Sequence, residues 1–453
     1  MHLGSSEIAE LIKADQDYYL HPTSSIVALQ EKGAKIIYRG KGSRVFDVAG
    51  KEYIDATAGL WYCAIGHGRD EIAGVMKQQA IDLSAYHSFN EFANVPAIRL
   101  ARKVASMVPV PGAKIFFTSS GSEANDTIIR AVRFYWHARG MDSKDIIITR
   151  DKAYHGVSCG AVMATRLPGF HEGFSPLLPG FESIPPPYCY YCSWGKEYPQ
   201  CNLKCALALE ETIGSLGAEN VAAFIAEPIM GTGGVIVPPP GYYQKIREIC
   251  NRNQVLFIAD EVINGFGRTG ETMFGIEHWA GAVPDIMTLA KGITSGYVPL
   301  GAAVFSDEIF QVLKSRDRFF HGYTYSGHPL ACQVGLKNIE IIERENLQDR
   351  AAVMGQRLQE GLRCLNLKTI GEVRGMGLMV GVDLVKDSKT REKFPAPLAP
   401  RVVEIAFEEG LIIRPLAGDI LQLSPPLVIT EEEIDRIVET LCLAIVKATE
   451  ERG

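Results

Sequence analysis

No stretch of this chain stays apolar for the roughly 18–20 residues that a membrane-spanning helix requires, so no membrane partner is expected. Charge of one sign is also scarce. The 46 Lys and Arg stand against 53 Asp and Glu, a formal net charge of −7, and no dense basic stripe breaks the balance. Nucleic acid is therefore not an expected partner. The opening MHLGSSEIAELIKADQDYY carries Glu, Lys and Asp among its apolar positions and lacks a signal-peptide core, which leads to the expectation of a cytoplasmic protein. Ten cysteines in 453 residues do not make a secreted disulfide scaffold. Repeats, coiled-coil heptads and low-complexity tracts are missing, and no Gly-x-Gly-x-x-Gly turn follows the first strand of the alternating region, which argues against a nucleotide-binding oxidoreductase.

What is present is an ordinary globular composition, 47% hydrophobic and 22% charged, with ample core for one large and one smaller domain. From about residue 114, short apolar runs alternate with amphipathic stretches, the pattern of an α/β domain with a mostly parallel sheet flanked by helices. Strands are expected at 114–118, 145–149, 221–226, 255–259, 286–290 and 300–305, and helices near 122–139, 239–252 and 328–345. Residues 1–60 contain a hairpin pattern around Ala49-Gly50, and 330–453 contain the strand-like runs 371–384 and 420–425. These two ends are expected to form a smaller α+β domain around the large domain at 61–329. The segment IPPPYCYYCSWGKEYPQCNLKC (184–205) reads as an irregular insertion.

Chemistry concentrates where predicted strands end. Asp260 closes the run VLFIA, and Lys291 closes the run IMTLA. In an open α/β sheet both would face the ligand crevice, a carboxylate for a pyridinium proton beside an amine for a Schiff base. Each alone has a plainer explanation, a solvated loop lysine or a helix-capping aspartate. TSSGSEAND (118–126) follows a strand and opens a helix, so Ser120, Gly121 and Ser122 suit a phosphate; Ser120 with Glu123 is equally a capping box. Glu227 ends another strand, where it can orient Asp260 or serve a loop salt bridge. Tyr154, followed by His155 and Gly156, offers a face for a flat ring.

Together, SSGSEAND (119–126), YHG (154–156), AEP (226–228), ADEVINGFGRTG (259–270), AKG (290–292) and YTYSGHPLAC (323–332) resemble, in order and over nearly the whole chain, the class III (ω-amino acid) aminotransferases of the fold type I pyridoxal-phosphate enzymes. The resemblance implies that Gly121 and Ser122 hold the phosphate of pyridoxal 5'-phosphate, with Tyr154 and Val262 on opposite ring faces. It implies that Asp260 pairs with the ring nitrogen and that Lys291 forms the internal aldimine. It also implies a homodimer with the active site at the interface, Thr324 reaching the neighbouring subunit's phosphate. The same scaffold hosts aminomutases, decarboxylases and epimerases, which use no separate oxo acid.

Arg414, in LIIRP, is a candidate fork for an oxo-acid carboxylate, the alternative being a structural ion pair. Trp61, Tyr62 and Phe89 resemble the aromatic wall of pyruvate-dependent ω-aminotransferases, or else interface core. The expected reaction is ping-pong transfer from an ω-amino acid or amine, such as taurine or β-alanine, to pyruvate. In the insertion, Cys189, Cys192, Cys201 and Cys205 have a spacing that four-thiolate zinc coordination can use, with free loop thiols as the alternative.

Overall fold

The computed structural model describes residues 3–452. Strands β1 (Ile37–Lys41), β2 (Arg44–Asp47) and β3 (Glu52–Asp55) form an antiparallel meander, with the β2–β3 turn at Gly50. Seven strands follow: β4 (Lys114–Thr118), β5 (Ile146–Arg150), β6 (Phe181–Ile184), β7 (Val221–Ala226), β8 (Leu256–Asp260), β9 (Ile286–Leu289) and β10 (Gly301–Phe305). They make one sheet in the order β4-β10-β9-β8-β7-β5-β6. Every residue of β7, β8, β9 and β10 is buried, because helices cover both faces and leave no side free for polar alternation. Alternate side chains divide between two cores. Phe224, Phe257 and Met287 pack one way, whereas Ile225, Ile258 and Ile286 pack the other way against Ile128, Val132 and Trp136 of the helix Gly121–Ala138.

Two features of this sheet depart from the sequence expectation. Strand β6 was not foreseen, since FESI has no apolar run and sits at the sheet edge. Strand β10 runs antiparallel to both its neighbours, β4 and β9. The chain between Leu289 and Gly301 holds only a short 3₁₀ turn, too little for the crossover helix that a parallel return needs.

Segments from the N- and C-terminal parts of the chain pair with each other. Strand β13 (Leu411–Ile412) pairs in parallel with β3, and β11 (Ile370–Met376), β12 (Met379–Leu384), β14 (Arg414–Leu416) and β15 (Ile420–Leu423) form a second four-stranded sheet.

The insertion leads from β6 to the helix Lys204–Leu216 without a regular element of its own, yet it is firmly anchored. Tyr188 donates its hydroxyl to Asp383 at 2.6 Å, while Arg374 pairs with the same carboxylate and lies 4.7 Å over the Tyr188 ring. The zinc expectation is not supported. Cys189, Cys192, Cys201 and Cys205 line one small cavity as free thiols, but among the described residues no group of three or more His, Cys, Asp or Glu is placed to hold a metal. Burial pushes the Cys205 thiol up to about 12 and raises that of Cys189. Tyrosines and ion pairs do the anchoring instead.

Candidate active site

A cavity of about 410 Å³ opens at the ends of β8 and β9, within the ~300–1,000 Å³ range of small-molecule sites. Ser120, Gly121, Ser122, Tyr154, His155 and Glu227 line it. So do Asp260, Val262 and Lys291, joined by Tyr62 and Asn125.

The helix Gly121–Ala138 begins at the cavity because Ser120 is extended and caps it: its hydroxyl accepts the Glu123 N–H at 3.2 Å, and the Glu123 carboxylate accepts the Ser119 N–H at 2.7 Å. Capping and anion binding are thus compatible. The Ser120 carbonyl takes the Ala124 N–H, whereas the N–H groups of Gly121 and Ser122 remain at the open helix end. Gly121 cannot carry a side chain without cost, because a Cβ there would lie 3.0 Å from both Val262 methyl carbons.

Asp260 is only 2% exposed and fully engaged. Its Oδ2 accepts from His155 Nδ1 at 2.7 Å and Asn125 Nδ2 at 2.9 Å, and its Oδ1 from the Val262 N–H at 3.1 Å. Burial alone would raise its pKa; the bond and charge of His155, with Asn125 and Val262, outweigh that and hold the carboxyl below its ordinary range. It therefore stays an anion, as a partner for a protonated ring nitrogen must.

Lys291 has φ +47, a left-handed backbone that follows β9 directly. Desolvation, assisted by Arg414 and opposed by Asp260 and Glu227, lowers its pKa from 10.5 to about 8, so the amine is readily neutral. Glu227 lies near Asp260 but does not bond to it. Its carboxylate accepts the Tyr154 N–H at 3.2 Å and the Gly231 N–H at 2.8 Å, so it fixes the backbone that presents the tyrosine ring. Behind it, the fully buried Arg150 donates to the Glu227 carbonyl at 2.5 Å.

The remaining candidates lie off this cavity. Trp61 is 2% exposed and packed behind its neighbour Tyr62, which takes the place on the wall. Phe89 is 41% exposed, with its ring against Gly322. Thr324 is exposed in the turn before the helix Pro329–Arg344. Arg414 is half-buried, its charge felt by Lys291 and Tyr154, and among the described residues no carboxylate pairs with it. Asn125 was missed by the sequence reading. Its position inside SSGSEAND was the only signal, because its bond to Asp260 spans 135 residues.

Residues 28–445 match the family Aminotransferase class-III. A putrescine–pyruvate aminotransferase of Pseudomonas aeruginosa is 42% identical over 93% of both chains, and a diaminobutyrate–2-oxoglutarate transaminase of Halomonas elongata is 38% identical over 97% of both. Among solved structures, an omega transaminase from Pseudomonas jessenii in complex with PMP superposes with a TM-score of 0.94 at 41% identity, covering 97% of this chain and 98% of that one. These similarities agree with the α/β fold, and they establish that this chain belongs to the class-III aminotransferases.

Proposed function

We propose that the protein uses pyridoxal 5'-phosphate to move an amino group from an ω-amino acid or amine, of the taurine, β-alanine or short diamine kind, to pyruvate in a ping-pong reaction. The observation that carries this reading is Arg414, a guanidinium with no carboxylate partner among the described residues, whose charge is felt by Lys291 in a cavity that also holds Asp260.

The residues present fit that cofactor. The open N–H groups of Gly121 and Ser122 suit its phosphate, the Tyr154 ring and Val262 its two faces, and anionic Asp260 its ring nitrogen. When bound, it supplies an electron sink for the carbon that bears the amine. Lys291 Nζ, neutral above pH 8, takes the proton from that carbon and returns it on the acceptor side. Arg414 holds the carboxylate of the oxo acid in a two-pronged contact. A donor whose far end carries no anion needs no second cation, and the wall at Tyr62, Val298, Pro299 and Leu300 offers none, so an anionic donor such as β-alanine would share Arg414 with the oxo acid.

We further propose that two copies complete the site. Phe92, Val95, Ile98, Phe320 and Tyr325 are each more than half exposed around the turn that carries Thr324 and near Phe89, an apolar surface suited to a second subunit. Among the described residues no helix is long and apolar enough to cross a membrane.

A panel of amines assayed with pyruvate and with 2-oxoglutarate, following the loss of each acceptor, tests the reading. Consumption of pyruvate with an ω-amine is expected. Preference for 2-oxoglutarate would overturn the acceptor, and turnover without any oxo acid would place the enzyme among aminomutases, decarboxylases or epimerases.

A further inference from the structure

The turn that delivers Tyr62 to the cavity wall is held in a shape that its own residues disfavour. Ala58 and Trp61 have φ +47 and +70, a backbone that residues with a side chain adopt at a cost, and Gly59 between them has φ +64. Trp61 also leaves its indole N–H buried without a partner, so the turn gives up a hydrogen bond as well. Such a conformation persists only where its surroundings fix it.

Asp55, at the end of β3 and 2% exposed, does the fixing. Its Oδ1 accepts the Thr57 N–H at 3.1 Å and the Thr57 hydroxyl at 2.7 Å, and its Oδ2 accepts the Gly59 N–H at 2.7 Å. His67 Nε2 supports the same Oδ2 from behind at 3.3 Å. On the far side the Tyr62 ring is confined by two glycines with positive φ. A Cβ at Gly59 or at Gly296 would come within 2.3 Å of ring atoms. The ring is thus packed closely against the backbone of both glycines.

We propose that Asp55, backed by His67, is a positioning residue for the amine side of the site: it locks the turn Thr57–Tyr62 so that the Tyr62 ring closes the cavity at one place and limits the size of substituent an amine donor can carry. The carboxylate itself touches no substrate. This role rests on the aminotransferase reading for its effect on turnover but not for its effect on the turn. An acceptor-only group is required, because an amide in its place turns a donor toward donors.

The test uses the holoenzyme and two variants, Asp55→Asn and the milder Thr57→Val. Each is assayed with pyruvate against β-alanine and against an amine bearing a branched aromatic substituent, and each is followed by hydrogen exchange. Loss of one such bond should raise the kcat/KM ratio of bulky to small donor about fivefold in Asp55→Asn, through a lower KM for the bulky donor, and about twofold in Thr57→Val. Exchange of the amides from Ala58 to Cys63 should speed up while that of β5 stays unchanged. An unchanged ratio in both variants, or faster exchange in β5 as well, would mean only general loosening and overturn the proposal. If the wild type transfers no amino group from either donor, the proposed function falls; unchanged exchange in the turn would then overturn the role of Asp55 separately.

Discussion

The two halves of this site are built in different ways. The half proposed for the cofactor is built mostly within one chain: a capped helix start, two strand-end residues and the Tyr154 backbone all converge on one cavity. The half proposed for the substrate is a set of residues from distant segments: Tyr62 stands on the cavity wall, while Arg414, Trp61 and Phe89 stand around it. Shared chemistry is thus carried by the rigid sheet, and choice of substrate by turns and chain ends, where variation costs the core little.

The largest test of that division removes the amine. Lys291→Ala should lower turnover by more than about 10⁴-fold and abolish the imine absorbance, since it deletes both nucleophile and proton carrier. Turnover within tenfold of wild type would break the assignment. On the other half, Arg414→Ala should raise KM for the oxo acid about 10- to 100-fold, the worth of a charge-assisted pair. It should leave the half-reaction with an amine that carries no carboxylate within about twofold, because the lost pair belongs to the oxo acid. An equal loss in both half-reactions would mean that the division is drawn in the wrong place.

A pH series sharpens the cofactor half. With a Lys291 pKa of about 8, condensation of the cofactor-free protein with pyridoxal 5'-phosphate, followed by absorbance, should quicken about tenfold per pH unit below 8 and level off above it. The sign for stability is consistent with this. The unfolded chain keeps a proton that the folded chain has lost between pH 8 and 10.5, so this group's contribution rises with pH across that window. A rate that climbs unchanged to pH 10 would show an ordinary lysine. The smallest effect belongs to Gly121→Ala, where the close Val262 methyls should weaken cofactor affinity only about fivefold in a titration, a mild overpacking cost.

The same contrast decides what could be read beforehand. Buried strands announce themselves as apolar runs, so β7, β8 and β9, and hence Asp260 and Lys291 at their ends, follow from sequence alone. The direction of β10 does not, since an apolar run reads alike in either sense. Edge strand β6 has no burial to advertise. Glu227 reads equally as orienting Asp260 or as serving a loop salt bridge, yet its carboxylate holds backbone N–H groups while His155 and Asn125 bond to Asp260, because contacts across separate loops leave no periodic trace. Trp61 and Tyr62 are adjacent, and only the left-handed turn decides which of the two faces the cavity.

The reversed strand β10 also acts as a ruler. It begins at the phosphate end of the cavity, reached from Lys291 through residues 292–300, and there an added Cβ on Gly301 would lie 2.4 Å from the Ser120 carbonyl. The short passage between them therefore sets the distance from reactive amine to phosphate loop. Lengthening or shortening it by even one residue should throw the two out of step.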